Sequence, residues 1–372
     1  MEELKNISQK TNNRLKYWVA YSKIQKIGPV NFKKLIDFFI DMEMAWQANY
    51  NQLKSAGLDE NLINEIIISR QEIDLEAEME LMDKENVKAV ILTDDNYPAN
   101  LKEIFNPPPI LYYQGSLDFL KNNCLAVVGT RKFSSYGKQI TEEIVSQLAK
   151  DGITIISGLA FGIDAISHKA CLDALGKTVA VLGSGVNRQC VYPSSNRYIA
   201  DKIINSGGGI IAEYPIGTNP TKFTFPMRNR IISGLSRAVL VIEAPINSGA
   251  LITAKYALDQ NRDILAIPGS IYSTNSQGTN NLIKQGAKLI TNADDILQEL
   301  NIQTVFKTLK TELKVDNEEE KIVLDLLSRE PLHIDKIKNM SKLNINVLLS
   351  TLTMMEIKGL IKDIGGKNYI KN

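Results

Sequence analysis

Between Cys124 and Leu300, short runs of apolar and largely β-branched residues alternate with stretches of helical period. The runs that read as strands span 125–128, 154–156, 178–182, 210–212, 238–242, 264–267 and 288–290. Most are apolar at nearly every position, as strands covered on both faces must be, and lack the in-and-out alternation of a half-wet sheet. Helical segments separate almost all of them. The pattern predicts an α/β fold built on a doubly wound parallel sheet. Ligands of such sheets bind beyond the carboxyl ends of the strands, and the Gly-rich stretches of this chain fall there.

The flanks read differently. Residues from about 10 to 85 have the period of short helices, and 24–35 contains Gly28-Pro29 at a helix start, like a helix-hairpin-helix turn whose exposed amides can hold a phosphate. A purely structural turn explains this loop better, because the surrounding segment is acidic. Pro107-Pro108-Pro109 excludes helix and marks a boundary. Residues 301–318 read as a polar linker. Beyond it, helix, turn, helix and a strand-like end over 360–370 follow the winged-helix order. Its second strong helix, 344–352, bears little positive charge, so protein contact or packing competes with DNA reading. The expected domains are therefore a helical one (1–105), the α/β core (106–300), the linker (301–318) and a winged helix (319–372).

Length and composition narrow the possibilities. A chain of 372 residues suits two or three cores. No uncharged apolar run of about 18 residues occurs, so no membrane span is expected, and Met1-Glu2-Glu3-Leu4-Lys5 lacks a signal-peptide pattern. Cys124, Cys171 and Cys190 form no C-x-x-C pair, which argues against a disulfide framework or zinc ribbon and for buried thiols in a cytoplasmic protein. The formal net charge of +1 conceals an uneven distribution. Residues 1–120 carry 13 basic and 19 acidic side chains, 121–240 carry 14 and 7, and 241–372 carry 16 of each. The excess is confined to the central segment, which favours a discrete anion site over a general polyanion coat.

Within that segment the richest stretch is Lys222-Phe223-Thr224-Phe225-Pro226-Met227-Arg228-Asn229-Arg230, which has rings and cations but no acid. Cations beside a stackable ring suit a groove for single-stranded nucleic acid. An isolated R-x-R would read as a solvated helix start, but here other phosphate-type loops recur in order. Gly129-Thr130-Arg131 follows the first strand, where glycine permits close backbone approach, threonine offers a hydroxyl and arginine can fork onto a phosphate. Neither familiar nucleotide fingerprint is complete. Gly183-Ser184-Gly185 is followed by Arg188 where a third glycine belongs, and no G-x-x-x-x-G-K-[ST] occurs.

Candidates for acid–base chemistry are few. His168 lies mid-helix among small and apolar residues and reads as structural. Asp164 reads as a helix cap. Glu213 and Glu243 end strands, where catalytic groups often sit, so a chemical role stays open for both. No metal-ligand cluster is visible. No catalytic residue, metal or cofactor is expected.

The ordered loops resemble the DprA/Smf family, the DNA-processing proteins of bacterial natural transformation. The resemblance spans essentially the whole chain. It rests on Gly129-Thr130-Arg131 with Tyr136-Gly137, Ser157-Gly158-Leu159-Ala160 with Gly162-Ile163-Asp164, and Tyr192-Pro193. It continues through Phe225-Pro226-x-Arg228-Asn229-Arg230, Ser248-Gly249-Ala250-Leu251-Ile252-Thr253-Ala254 and Pro268-Gly269. It implies a sterile-alpha-motif-like N-terminal domain, an extended Rossmann fold and a C-terminal winged helix. It further implies a homodimer that binds and shields single-stranded DNA and helps load the RecA recombinase. The implied DNA pocket takes in Gly129, Thr130, Arg131, Lys222, Phe225, Arg228, Asn229 and Arg230. Some members carry a basic residue after the Tyr-Pro pair; here Ser194 stands there, with Arg188 or Arg197 as substitutes.

The alternative is enzymatic. Nucleoside-monophosphate N-glycosidases of the lysine-decarboxylase-like (LOG) family share a related core and use a Pro-Gly-Gly-x-Gly-Thr-x-x-Glu loop. The corresponding stretch here, Ala244 to Ala254, has neither the glycine pair nor the glutamate.

Overall fold

Alternation of buried strands and helices is borne out in a computed structural model of the chain, which describes residues 14–302, 317–328 and 330–371. These residues fall into two compact units, one before residue 306 and one after. Of the expected linker, 303–316 lie outside the described residues, as does Met1–Lys5.

The first unit opens with helices α1 (14–23), α2 (Pro29–Phe38), α3 (Met42–Gln47), α4 (Tyr50–Ser55), α5 (Glu60–Glu72) and α6 (Leu75–Lys84). Short polar side chains start several of them: Asp41, Asn49 and Asp59 each accept an amide of the first turn. Trp18 stacks on Phe32 at 5.7 Å, and Tyr21 meets Trp46 edge-on at 5.0 Å. This aromatic cluster is continuous with sheet residues Ile110, Ala180 and Ile210, so the helices pack onto one face of the sheet.

The sheet comprises β1 (Lys88–Ile91), β2 (Ile110–Gly115), β3 (Cys124–Val128), β4 (Thr154–Ser157), β5 (Thr178–Leu182), β6 (Gly209–Ala212), β7 (Ala238–Val241), β8 (Asp263–Ala266) and β9 (Lys288–Leu289). Their spatial order is β1-β2-β6-β5-β4-β3-β7-β8-β9. From β6 through β9 every pairing is parallel, while β1 and β2 are antiparallel additions at one edge. Helices α7 (Ala99–Lys102), α8 (Ser135–Lys150), α9 (Ile163–Asp173), α10 (Arg197–Asn205), α11 (Thr224–Gly234), α12 (Gly249–Asp259), α13 (Gln277–Lys284) and α14 (Ala293–Glu299) connect and flank the strands. Apolar clusters fill both faces of the sheet, and all three cysteines are buried free thiols. Burial pushes the Cys124 and Cys171 thiols up to about 12.

The edge pair β1–β2 corrects the reading of Pro107-Pro108-Pro109 as a boundary. These prolines exclude helix but tolerate an extended edge: the Leu92 amide donates to the Pro109 carbonyl at 2.9 Å, and the two strands pair on either side of the connector. The sheet therefore begins before residue 106.

The second unit contains α15 (Glu318–Leu326), β10 (Leu332–His333), α16 (Ile334–Ser341), α17 (Ile345–Ile357), β11 (Ile361–Asp363) and β12 (Asn368–Lys371). This is the expected winged-helix order, with β10 added to the hairpin as a third strand. Leu348, Leu352 and Met355 of α17 close its core.

One buried ion pair locks the connector to the sheet. Arg230 of α11 sets Nη2 2.5 Å from both carboxylate oxygens of Glu213 at the end of β6, and Nη1 donates to the Asn106 carbonyl at 2.8 Å. Burial pushes the Glu213 carboxyl up, against the pull of Arg230. Removing one partner strands the other charge in the interior, so Arg230→Met should lower stability in urea melts by about 3–5 kcal/mol. Glu213→Met combined with Arg230→Met should recover most of that loss; equal instability of the single and double variants would show that the pairing is not what matters.

Candidate nucleic-acid interface

The chain leaves β3 for one half of the sheet and returns through β7 to the other, so the switch point lies between these two strands. A cleft of 720 Å³ opens there, lined by the loops after β3 and β7, by Ala160, Tyr192 and Lys222, and by the first turns of α11 and α12.

The loop after β3 is pinned on both sides. The Thr130 amide donates to the Glu243 carbonyl at 2.7 Å, and the Ile163 amide donates to the Thr130 carbonyl at 3.3 Å. The Glu243 carboxylate accepts the Ser134 amide at 2.9 Å and the Ser134 hydroxyl at 2.5 Å. Asn275 Nδ2 donates to the Lys132 carbonyl at 2.9 Å. Glu243 is therefore a buried anchor for the loop that presents Arg131. Gly129 and Gly162 are dictated by approach: a Cβ on Gly129 would lie 2.6 Å from Ile163, and one on Gly162 would lie 2.3 Å from the Thr130 carbonyl. Gly162 also has φ +81°, which strains any other residue.

Arg131 stands exposed with its guanidinium carbon 5.9 Å from the centre of the Phe225 ring. Phe225 is half-buried in the first turn of α11 and tilts against Tyr192 at 5.7 Å. Thr221 and Thr224 exchange amide-to-hydroxyl bonds of 2.9 and 3.2 Å, which starts α11 and leaves Lys222 and Phe223 outside it. Phe223 is 71% exposed, with the Lys222 ammonium 5.2 Å from its ring centre.

The remaining expected residues are placed less uniformly. Asn229 lines the cleft, its Nδ2 donating to the Gly249 carbonyl at 3.4 Å. Arg228 reaches the floor of the cleft but is 4% exposed. Its Nη1 donates to the Gly158 carbonyl at 2.7 Å and to the Val181 carbonyl, and its Nε donates to Asn229. Burial lowers the Arg228 guanidinium to about 10, and nearby Asp164 opposes that shift.

Three expectations are corrected by location. Arg230 lies in the interior against Glu213, away from the cleft. Arg188 lies outside the cleft and forks onto Asp201 at 3.1–3.2 Å. Arg197 also lies outside, with Nη2 donating to the Gln189 carbonyl at 2.6 Å. Neither arginine lines the cleft. Tyr192 is the ring that sequence reasoning missed as a site residue; its signal was the Tyr-Pro pair, which marked a motif but gave no contact.

Asp164 does not cap its own helix as expected. It turns back to accept the Gly158 amide at 3.1 Å, and burial raises its carboxyl against the pull of Arg228. His168 is structural, as expected. The Thr178 hydroxyl donates to the Ile155 carbonyl at 2.8 Å, so it accepts from His168 Nδ1, 2.7 Å away. That geometry fixes the Nδ1–H tautomer and leaves Nε2 buried without a partner. Among the described residues no cluster of three His, Cys, Asp or Glu could hold a metal, and no helix is long and apolar enough to cross a membrane.

The profile of the family described as DNA recombination-mediator protein A matches residues 88–301, and that of the DprA winged helix domain matches 309–367. Protein Smf of Synechocystis is 37% identical, over 96% of this chain and 99% of its own length. The DNA processing protein DprA of Streptococcus pneumoniae is 45% identical, over 56% of this chain and 72% of its own. Its X-ray structure superposes with a TM-score of 0.66 at 35% identity, over 76% of this chain and 97% of that one. The Helicobacter pylori DNA processing protein A, whose structure concerns its single-stranded DNA binding mode, superposes with a TM-score of 0.52 at 28% identity. That match covers 58% of this chain and 95% of the other.

Burial and the Arg228 charge depress His168 to about 3. The unfolded chain protonates this imidazole below its ordinary 6.5 while the folded chain does not, so stability is lost as pH falls from 6.5 towards 3. At pH 5 the contribution is about 2 kcal/mol. Asp164 and Glu213, whose carboxyls are raised, act in the opposite sense, so the test is a difference. Urea melts of His168→Gln should decline less between pH 6.5 and 5 than those of the unaltered chain; parallel declines would mean that His168 titrates normally.

Proposed function

Because the chain belongs to the DNA recombination-mediator protein A (DprA/Smf) family, we propose that its cleft binds single-stranded DNA and that the bound strand is shielded and handed to the RecA recombinase. The observation that carries this reading is the placement of Arg131 beside the Phe225–Tyr192 ring pair at the mouth of the switch-point cleft. A guanidinium with no carboxylate partner among the described residues offers a phosphate a charge-assisted fork, and the adjoining rings offer a base a stacking surface. Lys222 and Phe223 repeat the same pairing on the neighbouring rim. The structure of the Helicobacter pylori relative supports the choice of a single strand.

On this reading Gly129, Thr130, Lys222 and Asn229 line or shape the pocket, whereas Arg228 holds its floor. The protein acts stoichiometrically, in the cytoplasm and in natural transformation, as a homodimer with two pockets. The helical segment and the α/β core work as one unit, and the winged helix beyond the linker as another.

Two measurements test the proposal. Arg131→Ala should weaken binding to an oligothymidylate by about 1–3 kcal/mol and flatten the salt dependence by about 0.7 in slope. Phe225→Ala should cost a similar free energy with the slope unchanged, because stacking releases no counterions. Unchanged affinity in a folded Arg131→Ala protein removes the cleft from DNA binding.

The dimer is tested by length. Two linked pockets raise affinity through effective concentration once a strand reaches both. Affinity should rise steeply beyond that length, and a monomeric variant should lose the rise. Identical curves for dimer and monomer would mean that the pockets do not share a strand.

A further inference from the structure

A second cation-and-ring groove lies on the flank of the sheet, between α9 and α10. It has a volume of 250 Å³ and is lined by Lys169, Leu172, Asp173, Tyr198, Ile199 and Lys202. Tyr198 is 46% exposed, and the Lys169 ammonium lies 5.3 Å from its ring centre. Lys169 and Lys202 are exposed, and no ion pair among the described residues engages either. The neighbouring Asp201 is taken by Arg188, which leaves Asp173 as the single acid on the groove. Cation and exposed ring are thus arranged as they are at Lys222–Phe223 on the rim of the cleft.

The groove shares a frame with the cleft. Asp164 and Lys169 belong to the same helix, about 7.5 Å apart along its axis. Tyr192 on the cleft wall precedes Tyr198 by six residues. Asn196, at the start of α10, donates to the Leu159 carbonyl at 2.9 Å and to the Ala160 carbonyl at 3.3 Å. Ala160 itself lines the cleft. The bonds of Asn196 thus tie the start of α10 to the cleft wall.

We propose that a single strand held in the cleft continues into this groove, with one base against Tyr198 and phosphates near Lys169 and Lys202. This inference rests on the cleft being the DNA site. It accounts for free cations and an exposed ring that stand outside the cleft, beside a helix whose first turn lines it. A strand short enough to fill the cleft alone does not sense the groove, whereas a longer one does.

The experiment uses the full chain carrying Lys169→Gln, Lys202→Gln and Tyr198→Ala together, with oligothymidylates of about 4 and about 16 nucleotides, the span of single-strand sites. The variant should bind the short strand as the unaltered chain does and lose about tenfold on the long one. The salt slope for the long strand should fall by about 1.4, which corresponds to two phosphates. Tyr198→Phe, which keeps the ring, should bind normally. An unchanged long-strand affinity overturns the proposal, and so does an equal loss at both lengths, which would make the groove no continuation. Arg131→Ala with the short strand reports on the cleft alone, so failure of the cleft reading is seen separately from failure of the groove.

Discussion

Arg228 carries its charge beneath the floor of the cleft, and the geometry above it depends on where that guanidinium is held. Its Nη1 bonds to the carbonyls of Gly158 and Val181, which lie at the carboxyl ends of adjacent strands. A helix that reaches the sheet this way cannot slide or roll without leaving buried donors unpaired. Gly158 makes the contact possible, because a Cβ there would stand 2.5 Å from the guanidinium. Asp164, tied to the Gly158 amide, supplies an opposite charge nearby. Phe225 is three residues upstream on the same helix, so the bonds of Arg228 also fix the position of the ring.

The other wall is fixed by a different buried charge. Glu243 holds Ser134 through both its amide and its hydroxyl, and Gly137 comes so close that a Cβ would fall 2.3 Å from the carboxylate. Ser134 also caps α8. The four residues between Gly129 and Ser134 are therefore anchored at both ends, and the exposed Arg131 side chain is the part that remains to be ordered. A loop already in place costs less to immobilise when ligand arrives. Arg131 and Arg228 also repel one another across the floor, and an anion entering between them relieves that repulsion.

Much of this was legible from residue patterns. Strands apolar at every position announced a sheet covered on both faces, and the loops at its carboxyl edge announced the site. Strands β1 and β2 were less visible, because a proline connector and a four-residue strand carry little periodicity. Their place depends on pairing with β6, which is distant in sequence. Within the site, Arg131, Lys222 and Phe225 come together at the cleft, whereas Arg228 and Arg230 do not act as a pair. Two positions apart on a helix means about 200° around its axis, so the two side chains leave on opposite faces. Sequence shows that a segment is basic; it does not show that Glu213 or Asp201 has already claimed a given arginine.

Partitioning the basic side chains of the central segment by partner explains why a modest excess of charge can act locally. Arg188 and Arg230 are paired with carboxylates and the Arg228 side chain is committed to buried carbonyls, so none of them is free to reach an incoming anion. The cations left beside exposed or half-exposed rings are Arg131, Lys222 and Lys169. The winged helix has a different surface. The exposed positions of α17, among them Asn346, Val347, Leu349, Ser350, Thr353, Met354 and Ile357, include no cation, and the one charge is that of Glu356. A helix that reads a duplex needs cations to meet the phosphates flanking the groove. α17 offers none, so it is suited to protein contact or packing.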